Sequence, residues 1–195
     1  PLEEGGRLKL ADVNKAIMRL DTGFSFVGLT EHWQLSMCLW HSTYGGAPHR
    51  RELINLRVGN TPPNFRIPDV NGKMVDLSEE VAKNKYTLVM FWASWCHKCE
   101  QEIPNLVPMY NDLNPKGFGA IGISVDQQKV AWTKAIAENQ IPWSNVSQLK
   151  GWDAPITDDY KITQTPTYFL LDNQGKIVLK PERWFEIQRF LQSRL

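Results

Sequence analysis

Two thiols set three positions apart, Cys96 and Cys99 in Cys96-His97-Lys98-Cys99, are the groups in this chain whose type and spacing point to chemistry. They follow an apolar run from Tyr86 to Trp92 and precede an amphipathic stretch ending near Leu113. At a strand-to-helix junction, this spacing lets the two sulfurs close a disulfide across one helical turn. The first sulfur then sits at the helix N-terminus, where unpaired backbone N–H groups and the helix dipole favour a thiolate over a thiol. The thiolate is the attacking species in disulfide exchange. The expected chemistry is therefore redox chemistry at sulfur.

Other uses of two cysteines fit less well. A structural zinc site takes about four ligands, and the chain has no second C-x-x-C. Cys38, His32, His41 or His49 would have to come from far along the sequence. No metal is expected, and no cofactor beyond the redox-active disulfide. Covalent haem attachment requires a His directly after the second Cys, and Glu100 stands there. Three cysteines do not make a disulfide framework. Cys38, between Met37 and Leu39, reads as a small buried hydrophobe.

Composition narrows the classes further. The chain has 195 residues, 42% hydrophobic and 11% aromatic, which is enough to bury a core. Twenty-two Lys and Arg against 21 Asp and Glu leave a net charge of +1. That balance argues against nucleic acid as a partner and against a charge-driven membrane surface. The basic spot His49-Arg50-Arg51 reads as a solvated loop. No run of about 18 apolar residues is present to span a bilayer. The opening Pro1-Leu2-Glu3-Glu4-Gly5-Gly6 lacks the basic and apolar regions of a signal peptide and carries no initiating Met, so an upstream segment is expected to have been removed.

The thiols need elements to hold them. Gly59 with Pro62-Pro63 marks a boundary that reads as a linker, dividing the chain into 1–58 and 59–195. In the first part, Leu8, Leu10, Val13, Ile17 and Leu20 keep helical spacing, and Trp33, Leu35, Met37, Leu39 and Trp40 form an apolar patch. This segment is expected to be mainly helical and is too small for a core of its own.

In the second part, Phe65-Arg66-Ile67 reads as a short strand, and the Asn-Gly pair within 69–75 signals a hairpin. Ser78 with Glu79 and Glu80 behind it marks a helix start. Residues 86–92 read as a central strand covered on both faces. A helix is expected over 96–113, with Ile103, Leu106, Val107, Tyr110 and Leu113 on one face and a kink at Pro104. A buried strand over 118–125 and a helix over 127–139 follow. Residues 167–172 and 176–179 form an antiparallel hairpin about Asn173-Gln174-Gly175. A final helix starts at Pro181. The order implies an α/β fold, a mixed sheet flanked by helices on both faces.

The segment Phe91-Trp92-Ala93-Ser94-Trp95-Cys96-His97-Lys98-Cys99 resembles the active-site segment of the thioredoxin superfamily. The pattern C-x-x-C-x-x-E-x-P, as Cys96, Cys99, Glu102 and Pro104, resembles the TlpA/ResA branch of extracytoplasmic thiol-disulfide oxidoreductases. Pro63-Asn64-Phe65, the Asn-Gly hairpin, Ser124-Val125-Asp126 and Thr165-Pro166-Thr167-Tyr168-Phe169 follow that branch in order. The resemblance covers about 59–195 and leaves out the first 58 residues.

It implies a thioredoxin-like fold and a set of roles. Cys96 is the nucleophile, and Cys99, one turn into the helix, is the resolving thiol. Trp95 shields the site and offers a docking surface. Thr165-Pro166 resembles the superfamily's cis-proline, which faces the nucleophile and lets Thr165 pair with an extended substrate strand. Glu102 lies on the same helix face as Cys99, and a carboxylate there tunes the thiols and relays protons in that branch. The acid that thioredoxin keeps in the preceding strand is replaced here by Met90. Between the thiols, Lys98 and a protonated His97 add positive charge that favours the thiolate. Many relatives carry Pro where Lys98 stands, and a more stable thiolate makes a protein more oxidising, so this departure bears on redox poise.

The resemblance also implies reductant function on protein thiols and disulfides. It implies an extracytoplasmic, periplasmic location, an upstream membrane dithiol donor and a membrane anchor on a removed segment. Cytochrome c maturation is one role in the branch, and a monomer is expected. Two other classes compete. A peroxiredoxin-like peroxidase places its Cys in a P-x-x-x-T-x-x-C setting, and residues 91–95 carry no such Thr. A non-enzymatic copper-binding or chaperone module would use the same soft thiolates.

Overall fold

The computed structural model describes residues 55–195. The helix expected over 8–20, the apolar patch over 33–40 and Cys38 lie outside the described residues. The chain divides between Leu53 and Ile54.

The described part opens with the expected hairpin. Strands β1 (Arg66–Pro68) and β2 (Met74–Asp76) pair antiparallel with Ile67 opposite Val75. Asp69 Oδ1 accepts from the N–H groups of Asn71 (2.8 Å) and Lys73 (2.9 Å), and Gly72 takes a φ of 83° that side-chain-bearing residues avoid. Helix α1 (Leu77–Lys83) starts two residues earlier than the Ser78 signal suggested. Asp76 is its cap, and its carboxylate accepts from Ser78 N at 2.9 Å and Ser78 Oγ at 2.6 Å.

Then come β3 (Tyr86–Trp92), α2 (His97–Leu113), β4 (Phe118–Ser124), α3 (Lys129–Glu138), β5 (Ser144–Ser147), α4 (Pro155–Asp159), β6 (Thr167–Asp172), β7 (Ile177–Leu179) and α5 (Trp184–Gln192). The sheet order is β5-β4-β3-β6-β7. Strands β3, β4 and β5 are parallel, and β6 and β7 join antiparallel. This is a mixed sheet with helices on both faces.

Burial follows the two-residue period of a strand. Leu88, Met90 and Trp92 of β3 pack in one cluster with Cys99, Ile103 and Leu106 of α2 and with Ile187 and Leu191 of α5. Val89 and Phe91 belong to a second cluster with Phe65, Ile67, Val81 and Tyr160. Each such side chain contributes about 1.5–3 kcal/mol on full burial, so β3 is anchored from both sides. That anchoring holds the turn at its C-terminal end, where the thiols begin.

Several elements differ from expectation. Strand β5, Ser-Asn-Val-Ser, looks polar and gives no strand signal, yet three of its four residues are buried. Its polar groups are satisfied internally: Trp92 Nε1 donates to Asn145 Oδ1 at 3.1 Å, and Ser147 Oγ donates to Ser124 O at 2.9 Å. Helix α2 begins at His97, with Cys96 as its cap rather than its first residue, and carries both Pro104 and Pro108 inside it. Helix α5 begins at Trp184 rather than Pro181, because Glu186 Oε1 accepts from the N–H groups of Glu182 (3.2 Å) and Arg183 (3.1 Å) and so closes the first turn there. The stretch read as a linker is bonded to the domain. Gly59 N donates to Ile177 O at 2.7 Å, Ile177 N donates to Asn60 O at 2.9 Å, and Tyr160 OH donates to Pro63 O at 2.6 Å.

Candidate active site

The site is built where β3 ends and α2 begins. Ala93, Ser94 and Trp95 turn the chain, and Cys96 N donates to Ala93 O at 3.2 Å. Cys96 is the N-cap of α2, in extended backbone with φ −84° and ψ 100°. Its sulfur is bonded to that of Cys99, with the two Cα atoms 5.2 Å apart. Cys99 N donates to Cys96 Sγ at 3.1 Å, so the sulfur takes an N–H that has no partner within the helix. A negative charge on that sulfur would be met by the same N–H and by the helix dipole. Cys96 is 5% exposed and Cys99 fully buried, which leaves the first sulfur as the one facing outward.

Thr165–Pro166 is a cis peptide bond. Thr167 pairs with Phe91 and Tyr168 with Met90 in the antiparallel β3–β6 ladder. Continuing that register sets Pro166 and Thr165 beside the end of β3, at the same end of the sheet as the disulfide. Pro166 is buried and Thr165 half-buried.

Glu102, one turn beyond Cys99, is 1% exposed. Its carboxylate accepts from Arg183 Nε at 2.6 Å and from Trp184 N, the first residue of α5, at 2.7 Å, with Tyr168 OH at 3.4 Å. The group is compensated by a cation, by a helix N-terminus and by a phenol. Burial, reinforced by the Glu102 charge, pushes the Tyr168 phenol up, so Tyr168 remains a donor. His97 is exposed, with Nδ1 at 3.4 Å from Glu100 Oε2 and Nε2 at 3.1 Å from the Gln101 amide. Lys98 is exposed. Trp95 is 56% exposed.

Sequence reasoning leaves out three residues that contact the predicted site residues or the turn before Cys96. Asp126, 1% exposed, accepts from Ser94 N at 3.0 Å, from Ser94 Oγ at 2.6 Å and from Ser124 Oγ at 2.7 Å. It ties the turn before Cys96 to the end of β4. The signal for it is Ser124-Val125-Asp126 lying at a strand end, read only as part of a pattern. Arg183 is 81 residues from Glu102 in sequence, so no local signal could pair them. Trp152 lies against Trp95, with ring centroids 6.2 Å apart. Among the described residues, no group of three or more His, Cys, Asp and Glu is placed to hold a metal ion.

A mixed sheet of this order, a C-x-x-C disulfide capping the helix after its central strand and a cis-proline at the same sheet end define a thioredoxin-like thiol-disulfide oxidoreductase domain. The sequence profile of the AhpC/TSA family matches residues 58–180, and the chain belongs to that family. Thiol-disulfide oxidoreductase ResA of Bacillus subtilis (strain 168) is 29% identical over 124 residues, which are 64% of this chain and 66% of that protein, just under two thirds of its length. The ResA of Bacillus anthracis is 30% identical over 123 residues, 63% of this chain and 68% of that one. Among solved structures, the thioredoxin domain of a thiol-disulfide oxidoreductase from Bacteroides vulgatus superposes with a TM-score of 0.65 at 33% identity, covering 71% of this chain and 98% of that one. A thiol-disulfide oxidoreductase from Bacteroides fragilis gives a TM-score of 0.65 at 29% identity, covering 70% and 100%.

Proposed function

We propose that the protein reduces disulfides in protein clients outside the cytoplasm, with Cys96 as attacking thiolate and Cys99 as resolving thiol. In the reduced enzyme, the Cys96 thiolate attacks a client disulfide. A Cys96–client S–S bond forms, and the client's own S–S bond breaks to release one client thiolate. The Cys99 thiolate then attacks Cys96 Sγ, closes the Cys96–Cys99 disulfide and releases the second client thiolate. The client gains two electrons and two protons, and a membrane dithiol donor returns the enzyme to the reduced form. The disulfide form described above is the product of that half-reaction.

The observation that carries this reading is the Cys96 sulfur at the start of α2, accepting from Cys99 N and bonded to Cys99 Sγ. Trp95 and the Thr165-Pro166 segment receive the client, with Thr165 pairing to an extended client strand. Exposed Lys98, and His97 when protonated, add positive charge beside the thiolate. Glu102 tunes the pair from one turn beyond Cys99; its pairing with Arg183 supports an electrostatic role over that of a mobile proton carrier. A periplasmic setting, an anchor on a preceding segment, monomeric action and a place in cytochrome c maturation complete the proposal. The boundary between residues 1–58 and 59–195 is proposed as the limit of the catalytic part.

Cys96→Ser is expected to abolish disulfide exchange, and Cys99→Ser to accumulate a mixed disulfide with client. Full activity in Cys96→Ser would reject the assignment. A reduction potential near about −270 mV supports the reducing direction, and one near about −120 mV assigns an oxidant.

A further inference from the structure

We propose that Trp152 joins Trp95 in a two-indole platform that selects clients with an aromatic or branched apolar residue beside the reacting cysteine. This rests on the disulfide-exchange reading above.

Trp95 and Trp152 are the two exposed tryptophans among the described residues, at 56% and 42%. Their rings meet at 6.2 Å between centroids and 57° between planes, so together they offer both an indole face and an indole edge. Trp152 comes from a different part of the chain, the 3-10 turn Gly151–Asp153 between β5 and α4. That turn is braced from inside. Thr157 Oγ1, on a buried residue, donates to Trp152 O at 2.7 Å, Asp153 N donates to Lys150 O at 3.2 Å, and Ile156 N donates to Gln148 Oε1 at 3.2 Å. Gly151 has a φ of 60°, and the Gln127 side chain fills the space a Cβ would need, at 2.9 Å. The backbone is fixed by buried contacts while the indole is left in water. Adjacent apolar rings held in water mark a recognition surface, and tryptophan is the residue most enriched at binding hot spots.

The chemistry dictates the occupant. In the mixed disulfide, the client's Cα lies within about 4.4–6.8 Å of the Cys96 Cα. Trp95 is the chain neighbour of Cys96 and its ring is exposed, so the residues flanking the client cysteine come within reach of it. Trp152 extends that ring by one more indole. The platform reads the flanking residue, while Cys96 does the chemistry.

The test uses the full chain and two disulfide-bonded peptides of equal length and charge. One carries Phe next to each cysteine and the other Gly. The wild-type protein is expected to favour the Phe peptide about tenfold in kcat/KM, as an apolar contact of this size does. Trp152→Ala is expected to lower that ratio to about twofold, and Trp152→Phe to restore most of it. An unchanged ratio in Trp152→Ala, or no preference in the wild type, overturns the inference. A wild type that exchanges with neither peptide sinks the disulfide-exchange reading instead. A second measurement does not depend on the Trp152 variants folding. With Cys99→Ser, the trapped Phe-peptide mixed disulfide is expected to protect both Trp95 and Trp152 from oxidation by N-bromosuccinimide. Protection of Trp95 alone overturns the role of Trp152.

Discussion

Two buried carboxylates bracket the disulfide, and they are compensated in opposite ways. Glu102, after the thiols, faces a guanidinium and the first N–H of α5. Asp126, on the turn side of the thiols, faces one backbone N–H and two hydroxyls, from Ser94 and Ser124, with no cation among the described residues. A buried charge is tolerated when it is paired or fully hydrogen-bonded, and this domain uses both solutions. The Glu102 arrangement locks one helix to another. The Asp126 arrangement locks a turn to a strand end. Helix packing is thus secured by charge, while the position of Trp95 and Cys96 is secured by directional hydrogen bonds.

Removing each acid separates these roles. Glu102→Ala strips the partner from Arg183 and from the α5 N-terminus, and about 3 kcal/mol of stability is expected to go, at the low end for a broken buried pair because Arg183 is 48% exposed and can return to water. A urea midpoint shift checks it, and Arg183→Ala should not add to it in the double variant. Asp126→Ala leaves hydroxyls that can turn to other acceptors, so about 2 kcal/mol is expected. It should nevertheless slow exchange by about tenfold, since it frees the turn that orients Cys96; a stopped-flow rate with a disulfide peptide measures this. If Glu102→Ala slows exchange more than Asp126→Ala at equal folded fraction, the division of roles is wrong.

The smallest effect belongs to a carboxylate outside the site. Asp76→Ala removes the α1 cap for about 1 kcal/mol. The side-chain hydrogen bond from Ser78, with help from Asn64, holds the Asp76 carboxyl below its ordinary range despite opposing desolvation. A depressed folded-state pKa stabilises above the unfolded pKa and ceases to do so as pH falls through the folded one. The deficit of Asp76→Ala should therefore be full at neutral pH and fade in acid, read from urea midpoints across that range.

The parts legible in the sequence are those with local signals. The apolar run at 86–92 announces a strand buried on both faces, the Asn-Gly pair announces the first hairpin, and Cys96 and Cys99 announce the chemistry. What stays hidden depends on distance or on context. Strand β5 has no apolar alternation, because Asn145 and Ser147 are buried through hydrogen bonds to Trp92 and Ser124 rather than through hydrophobicity. Arg183 meets Glu102, and Trp152 meets Trp95, only through the fold. The helix start at Asp76 in place of Ser78 shows two capping residues in competition, with the carboxylate taking the cap and the hydroxyl donating to it.

The central claim is that Cys96, placed at the mouth of α2, is the thiolate that opens the reaction. The most direct measurement is the pH dependence of iodoacetamide alkylation of the reduced protein, resolved for each cysteine by mass spectrometry. Half-maximal alkylation of Cys96 below the ordinary range of a free cysteine, with Cys99 reacting only at higher pH, is the expected result. Cys99 alkylating first, or Cys96 titrating at or above the ordinary thiol range, would contradict it.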